Sequence, residues 1–402
     1  MPYLRIWQTK PFLMLAKIIV ISPVVKQFTR EQKELRLYSD NPPPSQKRVL
    51  YAVLDWGLGH AVHSVPMIRS LSEKNEVILA ATGRALTFLK DEFPDLPSID
   101  LPDYTVQYAP KQRFLVVRLI FQVPAMLASL LREHWLTEKI VREKDIDLII
   151  SDNRYGVYSR KIPSFFVTHQ LRFKLPRTIR KFEVISEWFN RWYFRKYSGV
   201  LVLDEAGREN LTGDLAHSGK ICRHPKLTYI GLWSTVHKET VPRDIDALAV
   251  ISGPEPHREI FGKKVIEQMK NMPGNKVVIL GKPEDTGKGY SYPGLQVYSF
   301  KNRKEVNDLL NRAKIVVCRS GYSSTMDLVS LKKPALMVPT PGQTEQEYQA
   351  EYYNIKGYFY SVSQDKMNLS IDLQRAEKFC RIGESRFKVN QFDLFYSALR
   401  NG

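Results

Sequence analysis

Two stretches in the second half of the chain carry residue types suited to holding a phosphorylated ligand. The first is Ile315-Val-Val-Cys-Arg-Ser-Gly-Tyr-Ser-Ser-Thr-Met-Asp-Leu328. Its apolar start, Ile315 to Cys318, reads as a buried strand that delivers the backbone to Ser320-Gly321. Glycine permits close backbone approach, and Ser323, Ser324 and Thr325 can cap the helix that follows. Free N–H groups at a helix start, together with the helix dipole, attract phosphate. Arg319 adds a cation at the same turn. Asp327 falls about one turn into the helix, where a carboxylate can accept both hydroxyls of a ribose. A plain N-cap box explains this segment, taken alone, equally well. The second stretch shifts the balance. Pro334-Ala-Leu-Met-Val-Pro339 reads as a strand, and Thr340-Pro-Gly-Gln-Thr-Glu-Gln-Glu-Tyr-Gln-Ala350 as a loop running into a helix. Gln343, Gln346 and Glu347 offer the planar donors and acceptors that sugar hydroxyls need. A solvated helix start accounts for Glu345 and Glu347 but not for the order of both segments.

The first half supplies candidates for proton transfer. Asp55-Trp-Gly-Leu-Gly-His60 follows an apolar run, and Gly57 and Gly59 make a tight loop. His60 opens the next helix and is the first candidate for a general base, which must take the proton of an attacking hydroxyl. An ordinary capping histidine is the competing reading, and His63 reads as structural. Asp152 follows the strand Leu148 to Ser151 and either orients His60 or is the base itself. Asp55 and His169 are expected on the acceptor side, with Gln170 beside His169. No Asp-x-Asp pair ends a strand, so no metal is expected. Arg319 and the N–H groups after Gly321 would take its place at a departing diphosphate.

Alternating strand and helix patterns position these groups. Apolar runs at 48–54, 76–81, 147–151, 163–168, 198–203 and 227–230 read as buried strands, separated by helical spacing such as Val62, Val65, Ile68 and Leu71. Pro124 is expected to break or kink a helical stretch from Leu115 to Ile140. The second half repeats the grammar, with strands at 246–251, 276–280, 297–300, 313–318 and 334–338. The expectation is an α/β protein of two doubly wound, Rossmann-like domains facing a cleft, with ligands at the strand ends. The expected divisions are an extension and linker over 1–46, an acceptor-side domain over 47–232, a donor-side domain over 244–371, and a tail over 372–402 that packs back on the first domain.

A length of 402 residues suits two domains. Three scattered cysteines argue against a disulfide framework and suit a reducing, cytoplasmic setting. A formal net charge of +18 points to anionic partners. No zinc finger, RNP pattern or basic-region heptad is present, so nucleic acid is not expected. Phe12 to Val25 is apolar but shorter than the roughly 20 residues that span a bilayer. It reads as an anchor or as an extension outside the fold. Arg172 to Tyr197 interleaves eight Lys/Arg with eight aromatics and only two acids. That mixture suits an anionic membrane surface or a lipid-phosphate acceptor, with an ordinary amphipathic helix pair as the competing reading.

The order of motifs from Cys318 to Ala350 resembles the C-terminal half of glycosyltransferase family 28, which includes the MurG group and diacylglycerol glycosyltransferases. The resemblance implies a GT-B fold, a UDP-sugar donor such as UDP-N-acetylglucosamine or another UDP-hexose, no separate cofactor, and transfer with inversion. It implies that Asp327 holds the ribose, that Ser320, Gly321, Ser324 and Thr325 lie near the diphosphate, and that Gln346 and Glu347 read the sugar. Family members often carry two glutamines there, and Glu347 departs from that. Weaker matches place Ser252 and Gly253 near the diphosphate, Phe300 beside the base, and the loop of Gly57, Gly59 and His60 at the cleft. Two alternatives stay open: a 2-epimerase of the same fold, for which Asp55, Asp152 and Glu255 are the available acids, and a non-enzymatic basic nucleotide binder.

Overall fold

The computed structural model describes residues 44–103, 115–175, 177–282 and 285–401. The anchor or extension expected before position 44 lies outside the described residues. Seven parallel strands form the first sheet: β1 (Arg48–Val53), β2 (Glu76–Ala81), β3 (Ser98–Asp100), β4 (Leu148–Asp152), β5 (Ser164–Thr168), β6 (Gly199–Val202) and β7 (Leu227–Tyr229), in the order β3-β2-β1-β4-β5-β6-β7. Its helices are α1 (Leu58–Ser72), α2 (Gly83–Glu92), α3 (Leu115–Glu143), α4 (Glu183–Tyr193) and the short α5 (Asp214–His217). The central strands are apolar without alternation because helices cover both faces of a parallel sheet. Val49 to Val53 are fully buried as a result.

The second sheet comprises β8 (Ile245–Val250), β9 (Lys276–Ile279), β10 (Gly289–Tyr292), β11 (Leu295–Tyr298), β12 (Ala313–Cys318), β13 (Ala335–Met337) and β14 (Tyr360–Ser361), in the order β10-β11-β9-β8-β12-β13-β14. Only β10 is antiparallel to its neighbour. The helices are α6 (His257–Lys270), α7 (Arg303–Arg312), α8 (Tyr322–Ser330), α9 (Thr344–Lys356), α10 (Leu369–Phe379) and α11 (Phe392–Asn401).

Both sheets reverse their winding at the centre, and there the sites lie. β1 neighbours β4, so the loop with His60 and the turn at Asp152 open into one crevice. β8 neighbours β12, which brings Ser252-Gly253 beside Ser320-Gly321. Crevices at such switch points, outside the carboxyl ends of strands, are where open α/β sheets bind ligands.

Several expectations are corrected. Pro124 lies inside one continuous helix of 29 residues. A proline removes one backbone bond of the ladder, and the rest of so long a helix carries it through. Phe300 does not end a strand, since β11 stops at Tyr298. The short strands β3, β10 and β14 have no apolar run to announce them; all of β10 is exposed. The final segment divides between the sheets. Leu369, Leu373 and Ala376 of α10 belong to the core of the second sheet. In α11, Phe395 packs on Trp233, and Tyr396 shares a buried hydroxyl–hydroxyl bond with Ser70 of α1.

Candidate functional site

Asp152 is the centre of the site. It ends β4 with no exposure, and its two oxygens serve three neighbours on α1. Oδ1 lies 2.9 Å from His60 Nδ1, while Oδ2 lies 2.6 Å from His63 Nε2 and accepts from Ser64 Oγ at 2.9 Å. The spacing of His60, His63 and Ser64, one helical turn, places all three over the end of the strand. Asn153 takes a left-handed backbone conformation, φ 54°. This turns the chain away so that the carboxylate faces the helix.

The electrostatics separate the two histidines. Burial opposes charging of His60, but the Asp152 charge and bond outweigh it and raise its pKa above the ordinary value. Burial lowers that of His63 more than Asp152 restores, so His63 stays neutral. Burial works against the Asp152 charge too, yet the two histidines hold its carboxyl well below the usual range. With Nδ1 committed to Asp152, the remaining ring nitrogen of His60 is a strengthened base. His63 is more than the structural residue its position suggests, and its grip on the same carboxylate gives no signal in sequence beyond its spacing.

The second sheet closes this crevice from the other side. A Cβ on Gly59 would lie 2.6 Å from Ser323 Oγ, so this position needs glycine to let α1 approach α8. Gly57, at φ 110°, makes the turn ahead of it. His63 Nδ1 lies 3.5 Å from the same Ser323 oxygen. The starts of α1 and α8 therefore meet. Neither has a side-chain cap, and neither has an acid in its first turn. The capping expected of Ser323, Ser324 and Thr325 does not occur; Thr325 Oγ1 instead donates back to the Gly321 carbonyl at 3.1 Å. Two positive helix ends facing one another, with no acid in either first turn, can attract an anion.

Around it lie the other donor-side residues. Ser320 Oγ donates to the Gln346 carbonyl at 2.8 Å. The Gln346 side-chain oxygen accepts from Thr340 N at 2.9 Å, which leaves its amide nitrogen over Gly321. Gly253, at φ 113°, faces Thr340 Oγ1, a buried hydroxyl with no partner among the described residues. Asp327 accepts from Ser234 Oγ at 2.6 Å, and burial pushes its carboxyl up to about 6. Arg303, on the helix after the Phe300 loop, pairs with Glu92 of the first domain at 3.4 Å and contributes its charge to Asp327. Neither Thr340, Ser234 nor Arg303 is legible in sequence as a site residue, since each is a common type in an ordinary loop or helix.

Four predicted positions have other work. Arg319 is almost fully buried, with its guanidinium over the Phe261 ring and bonds to the Val338, Pro339 and His257 carbonyls and to Gln364. It ties loops of the second sheet together and does not present a free edge to a diphosphate. Asp55 caps α2 through Arg84 N and Ala85 N, both at 3.1 Å. Gln343 commits its side-chain oxygen to capping α9 at Gln346 N, 2.5 Å. Glu347 accepts from Gly342 N at 2.8 Å and steadies the loop before α9.

His169, at the end of β5, bridges the halves. Its Nε2 lies 2.9 Å from Glu345 Oε1, and its ring stacks on Tyr322 with centroids 4.5 Å apart. The His60 ring is 6.1 Å away. Burial would raise the Glu345 carboxyl, but the bond and charge of His169 hold it below its ordinary value. His60, His63 and Asp152 also have the donor types of a metal site, their ligand atoms lying within 4.8 Å of one another. In this structure His60 Nδ1 and His63 Nε2 are the nitrogens bonded to Asp152.

Residues 256–376 match the glycosyltransferase family 28 C-terminal domain. Over that segment the chain is similar to family 28 glycosyltransferases, and its fold is that of GT-B proteins. The chain is 28% identical over 99 residues to a UDP-N-acetylglucosamine–N-acetylmuramyl-(pentapeptide) pyrophosphoryl-undecaprenol N-acetylglucosamine transferase of Bacillus cereus, covering 23% of this chain and 28% of that protein. A transferase of the same name from Bacillus thuringiensis is 31% identical over 78 residues, 19% of this chain and 22% of that one. The matches thus span about a quarter of these relatives' length. The fold extends much further. MurG of Acinetobacter baumannii superposes with a TM-score of 0.55 at 12% identity, over 89% of this chain and all of that one. The calicheamicin glycosyltransferase CalG4 gives 0.59 at 13% identity, over 89% and 94%. The family 28 match contains Ser320, Gly321, Asp327 and Gln346, while the GT-B fold sets the His60–Asp152 crevice opposite them.

Proposed function

We propose that this chain transfers a sugar from a UDP-sugar, UDP-N-acetylglucosamine or another UDP-hexose, to an acceptor hydroxyl with inversion. The observation that carries the reading is the meeting of two uncapped helix starts, α1 and α8, beside a histidine whose basicity Asp152 raises. In this reading the diphosphate lies against the N–H groups of both helix ends. Asp327 takes the ribose hydroxyls, and the free amide of Gln346 reads the sugar. The ring nitrogen of His60 not bonded to Asp152 takes the acceptor proton as the oxygen attacks the anomeric carbon. The bond from that carbon to the diphosphate breaks, and UDP leaves with its charge held by the helix ends. Asp152 keeps the tautomer and stabilises the imidazolium that forms.

The family 28 relatives are named for a pyrophosphoryl-undecaprenol acceptor, and α4 supports a lipid-linked acceptor here. Its buried face carries Glu183, Glu187, Asn190 and Tyr193, whereas Val184, Ile185, Trp188 and Trp192 face outward. A helix with its apolar side turned to solvent fits an interface with lipid. No helix among the described residues is long and apolar enough to cross a membrane, so the attachment we envisage is peripheral, on the cytoplasmic face. The epimerase alternative loses support, because Asp55 caps α2 and Glu255 pairs with Arg258. Incubation with UDP-N-acetylglucosamine alone separates the two: hydrolysis at most is expected, and an epimerised product would sink the transferase reading. Calorimetry with UDP tests the donor half directly.

A further inference from the structure

His63 lies on α1 among the buried residues, with 2% exposure. Both of its ring nitrogens have partners. Nε2 lies 2.6 Å from Asp152 Oδ2, and Nδ1 lies 3.5 Å from Ser323 Oγ. These partners fix the tautomer. A carboxylate only accepts, so Nε2 carries the hydrogen. Burial keeps the ring neutral, so Nδ1 presents a lone pair. Among the described residues, the donor at that lone pair is the Ser323 hydroxyl. A hydroxyl has one proton to give. The proton of Ser323, a residue of the second domain, is therefore turned toward the first.

Ser323 is the second residue of α8. Its oxygen stands between the two helix starts, since a Cβ on Gly59 of α1 would fall 2.6 Å from it. That is where the diphosphate lies in the transferase reading, on which this inference rests. The charged oxygens of a diphosphate accept hydrogen bonds, so Ser323 can bond one only with the proton now given to His63. We infer that Ser323 is a ligand of the donor diphosphate, and that His63 is the positioning residue that shares its proton and carries donor occupancy to the base. A hydrogen bond to a charged phosphate is about twice as strong as one to a neutral ring nitrogen, so the phosphate takes the proton. His63 is then left with an unfilled lone pair in a buried place, and that loss opposes donor binding. Hydrogen bonds in a chain polarise one another. With Nδ1 unfilled, the Nε2–H of His63 donates less strongly to Asp152, and Asp152 keeps more charge for His60 Nδ1 at 2.9 Å. Ser64 Oγ, 2.9 Å from the same Asp152 oxygen as His63, holds the carboxylate in place through the exchange. The donor thus strengthens the base on the opposite domain, and by reciprocity His63 weakens the donor's hold. Rotation of one hydroxyl carries the link, with no movement of either domain.

A double-mutant cycle on the full chain, read by calorimetry with UDP, tests this. Glutamine sets its amide N–H where the His63 Nε2–H stands and puts no acceptor at the place of Nδ1. His63→Gln therefore keeps the bond to Asp152 and frees Ser323. Its UDP affinity is expected to rise about fivefold, and that of Ser323→Ala to fall about fivefold, each being the margin between a charge-assisted and a neutral hydrogen bond. The double variant should bind like Ser323→Ala, because the gain needs the serine hydroxyl. A merely structural His63 gives weaker or unchanged binding when replaced. With folding checked by thermal unfolding, unchanged or weaker UDP binding by His63→Gln overturns the proposal, and so does a gain that persists in the double variant. Nitrogen NMR of histidine-labelled wild type needs no change at His63. UDP should move the Nδ1 resonance of His63 downfield as its hydrogen bond is lost, and Ser323→Ala should show the downfield position without UDP; a resonance that UDP leaves in place overturns the shared proton. Absence of UDP binding by the wild type would sink the transferase reading and this inference with it, whereas UDP binding without the reciprocal pattern sinks this inference alone.

Discussion

Replacing Asp152 with asparagine changes one atom type at the centre of the site. The carboxylate now accepts from His60 Nδ1 at 2.9 Å, His63 Nε2 at 2.6 Å and Ser64 Oγ at 2.9 Å. An amide can offer its oxygen to one side only, and its NH2 must face the other. If the NH2 faces His60, Nδ1 must accept, the proton moves to the far nitrogen, and the ring cannot act as a base. If the oxygen faces His60, the tautomer survives but the negative charge that raises its pKa is gone. A positioned general base contributes about 10²–10⁴ in rate, so kcat should fall by about that factor, or ~3–5 kcal/mol of barrier. Asp152 touches no donor-binding group, so affinity for UDP should change by less than about threefold. The pH profile adds a second readout. His60 acts as base when neutral, so its contribution is present above its folded pKa and is lost as pH falls through it. In the wild type the Asp152 charge and bond raise that value above the ordinary one for histidine. In Asp152→Asn the residual activity should therefore persist to lower pH. A steady-state assay of kcat against pH, with UDP calorimetry beside it, measures both. A variant that keeps kcat within a few-fold, or whose acid limb does not move, would refute the assignment of His60 and Asp152.

Four other outcomes follow from the same geometry. Asp327→Ala should weaken UDP binding by about tenfold or more, and wild-type affinity should fall as pH drops through about 6, where the Asp327 carboxyl gains its proton; calorimetry across that range is the measurement. Arg319→Met should cost about 3 kcal/mol or more of stability by stranding buried carbonyls, seen as a lower Tm, while UDP affinity of the folded protein is unchanged. Gly59→Ala should wedge α1 off α8 and lower kcat/KM, and Ser323→Gly should recover part of the loss, because the added methyl would fall 2.6 Å from the Ser323 hydroxyl. Dialysis against a chelator should leave turnover unchanged; loss restored by a divalent ion would assign His60, His63 and Asp152 to a metal and remove His60 as the base.

The fold was legible because a parallel sheet hides both faces of its strands. Runs such as Leu50 to Val53 and Ile149 to Ile150 must then be apolar without alternation, and the helices between them must carry a 3.6-residue period. What escaped was what that pressure does not touch. β10, Gly289-Tyr-Ser-Tyr292, is an exposed edge with no apolar face to declare it. Proline at 124 reads as a break by its local chemistry, but a long helix absorbs one missing bond.

The site divides along the same physical line. Gly321 and Asp327 follow β12 and Gln346 follows β13, on consecutive strand–turn–helix units where the backbone fixes what each can reach, and the sequence shows that order directly. Arg319 and Asp55 lie next to that kind of motif too, yet both turned inward. Spacing cannot show whether a polar side chain has a ligand or a carbonyl to satisfy, and burial obliges it to find one or the other. The arrangement proposed as catalytic includes a contact between residues 260 apart in sequence, His63 and Ser323. Such contacts exist only once α1 and α8 are placed end to end. Gly59 is the one residue whose type carried a trace of this in the sequence. Its missing side chain made room for the opposing helix, and its reason could be named only when Ser323 appeared across the crevice.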